Sequence, residues 1–76
     1  MARAKQTNRA EARRRYRQAS TQVDDIEGAM AELRAKGVKL LDETPRAGHG
    51  GSRIAFVDPT STANILIELA QIPPGH

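Results

Sequence analysis

The chain has 76 residues, 12 of them Lys or Arg against 9 Asp or Glu, and no cysteine. That length holds one small domain, which buries only about 60% of the surface its unfolded chain exposes, so association with another chain is a natural source of added stability. The missing cysteines exclude disulfides and thiolate metal sites, and apolar runs as short as Ile65-Leu66-Ile67 exclude a spanning helix, which needs about 20 apolar residues.

The charge is divided unevenly along the chain. Residues 1–22 carry Arg3, Lys5, Arg9, Arg13, Arg14, Arg15 and Arg17 against Glu11 alone, whereas residues 23–76 carry five basic against eight acidic side chains. Beyond Met1, Tyr16 is the one large apolar side chain of the first part. So little apolar surface cannot offset ordering entropy, and residues 1–22 are expected as a basic arm, disordered or helical, unrelated to the fold that follows. Such an arm can attract nucleic acid through phosphate charge, without sequence preference, because no recognition helix or zinc finger accompanies it.

Order is expected from Val23 onward. Asp24 reads as an N-cap with Glu27 three residues later, the spacing of a capping box. Ile26, Ala29, Met30 and Leu33 then draw one apolar stripe at helical spacing, and Gly37 supplies a left-handed C′ residue, so residues 25–36 are expected as a helix. Glu32 and Lys36 form a favourable i, i+4 pair. Three short strands are expected next, over residues 38–42, 53–57 and 64–71. Between them lie a flexible loop at Arg46-Ala47-Gly48-His49-Gly50-Gly51 and a turn at Asp58-Pro59-Thr60-Ser61. The class is α+β, a helix followed by a mostly antiparallel three-stranded sheet, and Pro73-Pro74-Gly75 opens a short tail.

Glu68 is the one charge in the apolar run from Ile65 to Ala70. It either faces solvent on an open side of the sheet or sits in a polar cleft as a metal ligand or general base. The Gly48-His49-Gly50-Gly51 segment can turn a hairpin or cradle an anion, and it lacks the pattern of a P-loop. His49 and His76 are too few and too far apart for a structural metal cage.

The run Val23-Asp24-Asp25-Ile26-Glu27-Gly28-Ala29-Met30, continued by Ala31-Glu32-Leu33-Arg34-Ala35-Lys36-Gly37-Val38, resembles the start of the helix in methylmalonyl-CoA epimerases. These enzymes form a branch of the vicinal-oxygen-chelate, or glyoxalase-like, superfamily. Leu40-Leu41-Asp42-Glu43-Thr44-Pro45-Arg46, Gly48, Gly50-Gly51, Arg53-Ile54-Ala55-Phe56, Pro59 and Leu66-Ile67-Glu68-Leu69 continue the resemblance in order. It implies an incomplete βαβββ module over residues 23–72, corresponding to the C-terminal half of a two-module protein, with residues 73–76 as a tail. Two such modules in the family surround a divalent metal, cobalt, manganese or similar. The metal holds an acyl-CoA thioester while carboxylate bases exchange its α-proton, interconverting (R)- and (S)-methylmalonyl-CoA.

By this resemblance Glu68 matches the metal-ligating glutamate of the last strand, which also serves as a base. Gln18, in Arg17-Gln18-Ala19-Ser20-Thr21-Gln22, stands where the family has a metal-binding histidine in an HHIAF-type strand. Its amide oxygen is a weak substitute for imidazole. With a first module and its ligands missing, the expectation is a truncated epimerase-like protein with little or no activity alone. One alternative is a homodimer, or a pairing with a partner half-module, that completes a metal site from Glu68 and Gln18 of each copy. The other is a non-enzymatic module that binds nucleic acid through residues 1–22. The expected location is the cytoplasm, or the mitochondrial matrix in a eukaryote, with no membrane contact.

Overall fold

The computed structural model describes residues 9–73, so His76 and the first eight residues of the expected arm lie outside the described residues. The elements in chain order are helix α1 (Arg9–Arg15), strand β1 (Arg17–Gln22), helix α2 (Ile26–Ala35), and strands β2 (Arg46–Ala47), β3 (Arg53–Val57) and β4 (Ile65–Gln71). They form a βαβββ module whose single mixed sheet has the strand order β1-β4-β3-β2, with β1 parallel to β4 and the remaining pairs antiparallel. The class is α+β, as expected, with a fourth strand where the sequence pointed to three.

That fourth strand comes from the expected arm. Arg17–Gln22 runs beside β4 in register, with Gln18 opposite Leu66 and Ser20 opposite Glu68. All six of its residues are exposed. An edge strand with both faces wet needs no apolar alternation, and β1 is held by main-chain bonds that composition does not report. Residues 9–22 are therefore helix and strand joined to the sheet, and the break expected after residue 22 is absent from the fold.

Alternation along β4 sends Ile65, Ile67 and Leu69 to one face and Leu66, Glu68 and Ala70 to the other. The first face carries α2. Ile26, Met30, Ala55, Val57 and Leu69 are buried together there, with Val23, Leu33, Val38, Leu40 and Ile67 packed around them. On the opposite face α1 lays Ala12 against Phe56 and Leu66, flanked by Tyr16, Leu41 and Ile54. The molecule thus has two small half-cores, one on each side of the sheet.

The helix expected over residues 25–36 forms over Ile26–Ala35, but its cap is Asp25 and not Asp24. Val23 still donates its N–H to Ala70 O, 2.9 Å away, so the chain leaves the sheet too late for Asp24 to cap. The Asp25 carboxylate instead accepts from Gly28 N–H at 3.2 Å. Gly28 suits that role, because a Cβ there would lie 2.5 Å from Asp25 Oδ2. Glu27 takes no part in a capping box and pairs with Arg53 of β3 at 2.8 Å. At the other end Val38 N–H donates to Leu33 O and Gly37 N–H to Arg34 O, the two bonds of a Schellman motif. Gly37 holds the required left-handed conformation at φ 85°. Asp25→Ala should lower stability by about 1 kcal/mol, a fall of roughly 4–8 °C in Tm for a domain this small. Asp24→Ala should leave the thermal midpoint unchanged, and equal shifts for the two variants would reassign the cap.

The strand expected over residues 38–42 is reduced to one bridge, Leu40 opposite Val57. Leu41 N–H reaches Phe56 O, but Phe56 N–H is taken by the Asp42 carboxylate at 2.8 Å, so a side chain replaces the next main-chain acceptor. The ladder on this edge of β3 resumes with β2, where Arg46 faces Ile54 and Ala47 faces Arg53. The expected loop at residues 46–51 therefore contributes β2 and a 3-10 turn, His49–Gly51, that closes the β2–β3 hairpin. Ser52 Oγ fastens this turn by donating to His49 O at 2.8 Å. Strands β3 and β4 and the turn Pro59–Ser61 fall where the sequence places them.

Candidate functional site

The sheet face opposite α2 gathers most of the polar groups of interest. Glu68 lies on it between two in-register neighbours, Ser20 on β1 and Phe56 on β3. It is half-buried, and its Oε1 accepts a hydrogen bond from Ser20 Oγ at 3.2 Å. No lysine or arginine is paired with it among the described residues. A carboxylate held by one oxygen, with its second oxygen open, keeps a lone pair available for a proton or a cation.

Gln18 shares this face, opposite Leu66 and one pleat along from Ser20. Its side-chain amide is engaged elsewhere: Nε2 donates to Arg13 O at 3.0 Å and so satisfies a carbonyl at the end of α1. Glu68 and Gln18 are thus on one side of the sheet, with Gln18 fastening the helix to the strand. Among the described residues there is no group of three or more His, Cys, Asp and Glu able to hold a metal ion. His49 is exposed in the hairpin turn, away from both. The donors that one copy presents do not fit a divalent metal.

Asp42 is the functional-looking residue that the sequence hides. Its side chain is only 4% exposed, and Oδ1 lies 3.6 Å from Arg9 Nε and 3.4 Å from Arg46 Nε. Arg9 also lies over the Phe56 ring, 5.1 Å from its centroid, a cation–π contact. In the sequence Asp42 reads as the polar end of a strand. The signal that could have singled it out is its place after Leu40-Leu41 and before Pro45, where an acidic residue must either leave the sheet or be paired.

Of the arginines of the expected arm, Arg13, Arg14, Arg15 and Arg17 are exposed at the end of α1 and the start of β1. A surface hollow between Gln22, Asp24, Asp25, Gly28 and Glu32 lies at the start of α2 and does not include Glu68. No helix among the described residues is long and apolar enough to cross a membrane.

Residues 3–69 match the Glyoxalase family, described as the Glyoxalase/Bleomycin resistance protein/Dioxygenase superfamily. The match starts well inside the segment expected to be unrelated to the fold, in keeping with the inclusion of β1 in the sheet. The mitochondrial methylmalonyl-CoA epimerase of Dictyostelium discoideum is 38% identical over 50 residues, 66% of this chain and 30% of that one. A crystal structure of a selenomethionine-labelled methylmalonyl-CoA epimerase aligns with a TM-score of 0.72 at 46% identity, over 75% of this chain and 39% of the other. A methylmalonyl-CoA epimerase solved in complex with methylmalonyl-CoA and ammonium aligns with a TM-score of 0.69 at 34% identity, over 72% of this chain and 38% of the other. The chain therefore spans between 30% and 39% of the length of these relatives.

Proposed function

The chain belongs to the Glyoxalase/Bleomycin resistance protein/Dioxygenase superfamily, and from that premise we propose that it is an epimerase-like βαβββ module whose Glu68 moves the α-proton of an acyl-CoA thioester such as methylmalonyl-CoA. The observation that carries this reading is the placement of Glu68. Its carboxylate stands on the sheet face opposite α2, half-buried beside the half-core that α1 covers, oriented by Ser20 and unpaired with any cation among the described residues.

The chemistry asked of Glu68 is simple. One carboxylate oxygen takes the proton from the carbon beside the thioester carbonyl. The C–H pair passes into that carbonyl as the O–H bond forms, and a proton returned to the opposite face inverts the centre. The return needs a protonated acid on the other side of the carbon, which a single sheet does not offer. A second copy of this chain would bring another Glu68 to that position, which gives up its proton as the first Glu68 takes one. The exposed edge strand β1 gives such a copy main-chain groups to meet. The divalent metal implied by the resemblance does not fit the donors of one copy, so no step is assigned to it.

Exchange of the methylmalonyl-CoA α-proton with solvent deuterium tests this, followed by NMR at increasing chain concentration with manganese or cobalt present. Exchange by single copies is expected to be slow and proportional to the chain concentration, whereas inversion of the centre should rise more steeply than the chain concentration. Glu68→Gln should lower exchange by about 10²-fold or more, the usual contribution of a positioned base. Exchange equal to buffer at every concentration, or unaltered in Glu68→Gln, would reject the assignment.

A further inference from the structure

Two guanidinium groups converge on one buried carboxylate beside the Glu68 face, and their charges are not balanced. Asp42 Oδ2 is occupied by Phe56 N–H, and Oδ1 alone faces both Arg9 Nε and Arg46 Nε. At 3.6 and 3.4 Å these are ion pairs and not hydrogen bonds. Neither guanidinium makes a hydrogen bond among the described residues, and Arg9 Nε is buried without one. Each arginine carries five N–H donors in a planar fork matched to a carboxylate or phosphate edge. A cluster of two such forks and one internal anion has an excess positive charge, and apart from the buried Arg9 Nε its N–H donors are open to solvent or a ligand.

The placement is also specific. Arg9 is held by its contact with the Phe56 ring, so its fork is oriented before any ligand arrives. Arg46 stands on the same side of the sheet, because it is opposite Ile54, which packs in the Phe56 and Leu66 half-core. Phe56 is in turn the in-register neighbour of Glu68. Arg9 therefore stands over the in-register neighbour of Glu68, while Asp42 and Arg46 lie at the β2-side edge of β3, Arg46 two strands from β4 and opposite Ile54.

We propose that Arg9 and Arg46, poised around Asp42, form an oxyanion site that anchors an anionic group of the substrate, a carboxylate or a phosphate, beside Glu68. The identity of the ligand rests on the preceding reading, whereas the binding itself does not. The forks fix one end of the molecule at the β2 side of β3, and the rest of it extends across Phe56 toward β4. Asp42 keeps the two cations together when no ligand is bound.

Titration of the full chain with inorganic phosphate and, separately, with malonate tests the site at constant ionic strength. The readout is the NMR shifts of the Arg9 and Arg46 Nε–H groups and of the Phe56 amide. Saturable shifts at these groups are expected. Arg46→Gln should raise Kd by about tenfold, the loss of one charge-assisted contact. Arg14→Gln, an exposed arginine on the same helix, should leave Kd unaltered. Tighter phosphate binding would assign the site to a coenzyme phosphate, and tighter malonate binding to a substrate carboxylate. Shifts that never saturate, or equal weakening in Arg14→Gln and Arg46→Gln, would reduce the effect to general charge attraction and overturn the proposal. Saturable binding in a chain that exchanges no α-proton would leave this site standing and remove the proposed reaction, and the converse result would do the opposite.

Discussion

Asp42→Ala should destabilise the protein by about 2–4 kcal/mol, a large part of the roughly 4–11 kcal/mol expected for a chain of this size. Two losses add up. The Phe56 N–H, buried in the middle of β3, is left without an acceptor, which costs about 1–3 kcal/mol. The buried Arg9 Nε then faces no counter-charge. The Arg46 pair contributes little, because that side chain is 60% exposed and its charge is solvated. Asp42→Asn separates the two losses, since an amide oxygen can still accept from Phe56 while the charge is gone. Urea unfolding should place Asp42→Asn between the unaltered chain and Asp42→Ala. If Asn and Ala variants unfold together, the charge carries the whole effect. If both match the unaltered chain, the cluster has no structural role.

What could be read from the sequence divides along a physical line. Helix α2 and strands β3 and β4 were legible because each buries one face, so their apolar residues recur at 3.6 or 2 residues. Strand β1 buries neither face, and its six polar or small residues carry no period to detect. Helix α1 docks through Ala12, whose methyl group is fully buried yet adds almost nothing to an apolar count. It is the shape of the contact with Phe56 and Leu66 that holds α1, and shape is absent from composition. Residues 38–42 misled in the opposite way. Val38, Leu40 and Leu41 do pack against the sheet, but Asp42 takes the main-chain donor that a continuing strand would need.

The candidate site shows the same split. Glu68 stood out as a lone charge in an apolar strand, and the fold places it on the face opposite α2. Gln18 gained attention only through its place in the resemblance, and its amide proves to serve the end of α1. In the Arg9–Asp42–Arg46 cluster only Asp42 and Arg46 are near in sequence, four residues apart outside any helix, and Arg9 joins from α1, so the sequence spacing does not announce it. Net charge gave a partial hint: the basic first segment and the acidic remainder meet in that cluster, where an arginine of the supposed arm finds its carboxylate.

Leu66→Ala should act strongly and unevenly. Leu66 is fully buried, and removing its isobutyl group from a packed site typically costs about 2–5 kcal/mol. Its contacts belong to the half-core of Ala12 and Phe56, whereas Ile26, Met30 and Leu69 pack on the other face. Helix α1 has only seven residues and cannot remain helical without that support. Amide exchange should therefore accelerate first in α1, at the Tyr16 N–H bonded to Ala12 O, while the amides of α2 keep most of their protection. Equal acceleration in both helices would show one cooperative core in place of two. Because Arg9 is carried on α1, the same variant should also weaken phosphate binding. An Leu66→Ala chain with a frayed α1 and undiminished affinity would exclude Arg9 from the anion site and leave Arg46 as its sole cation.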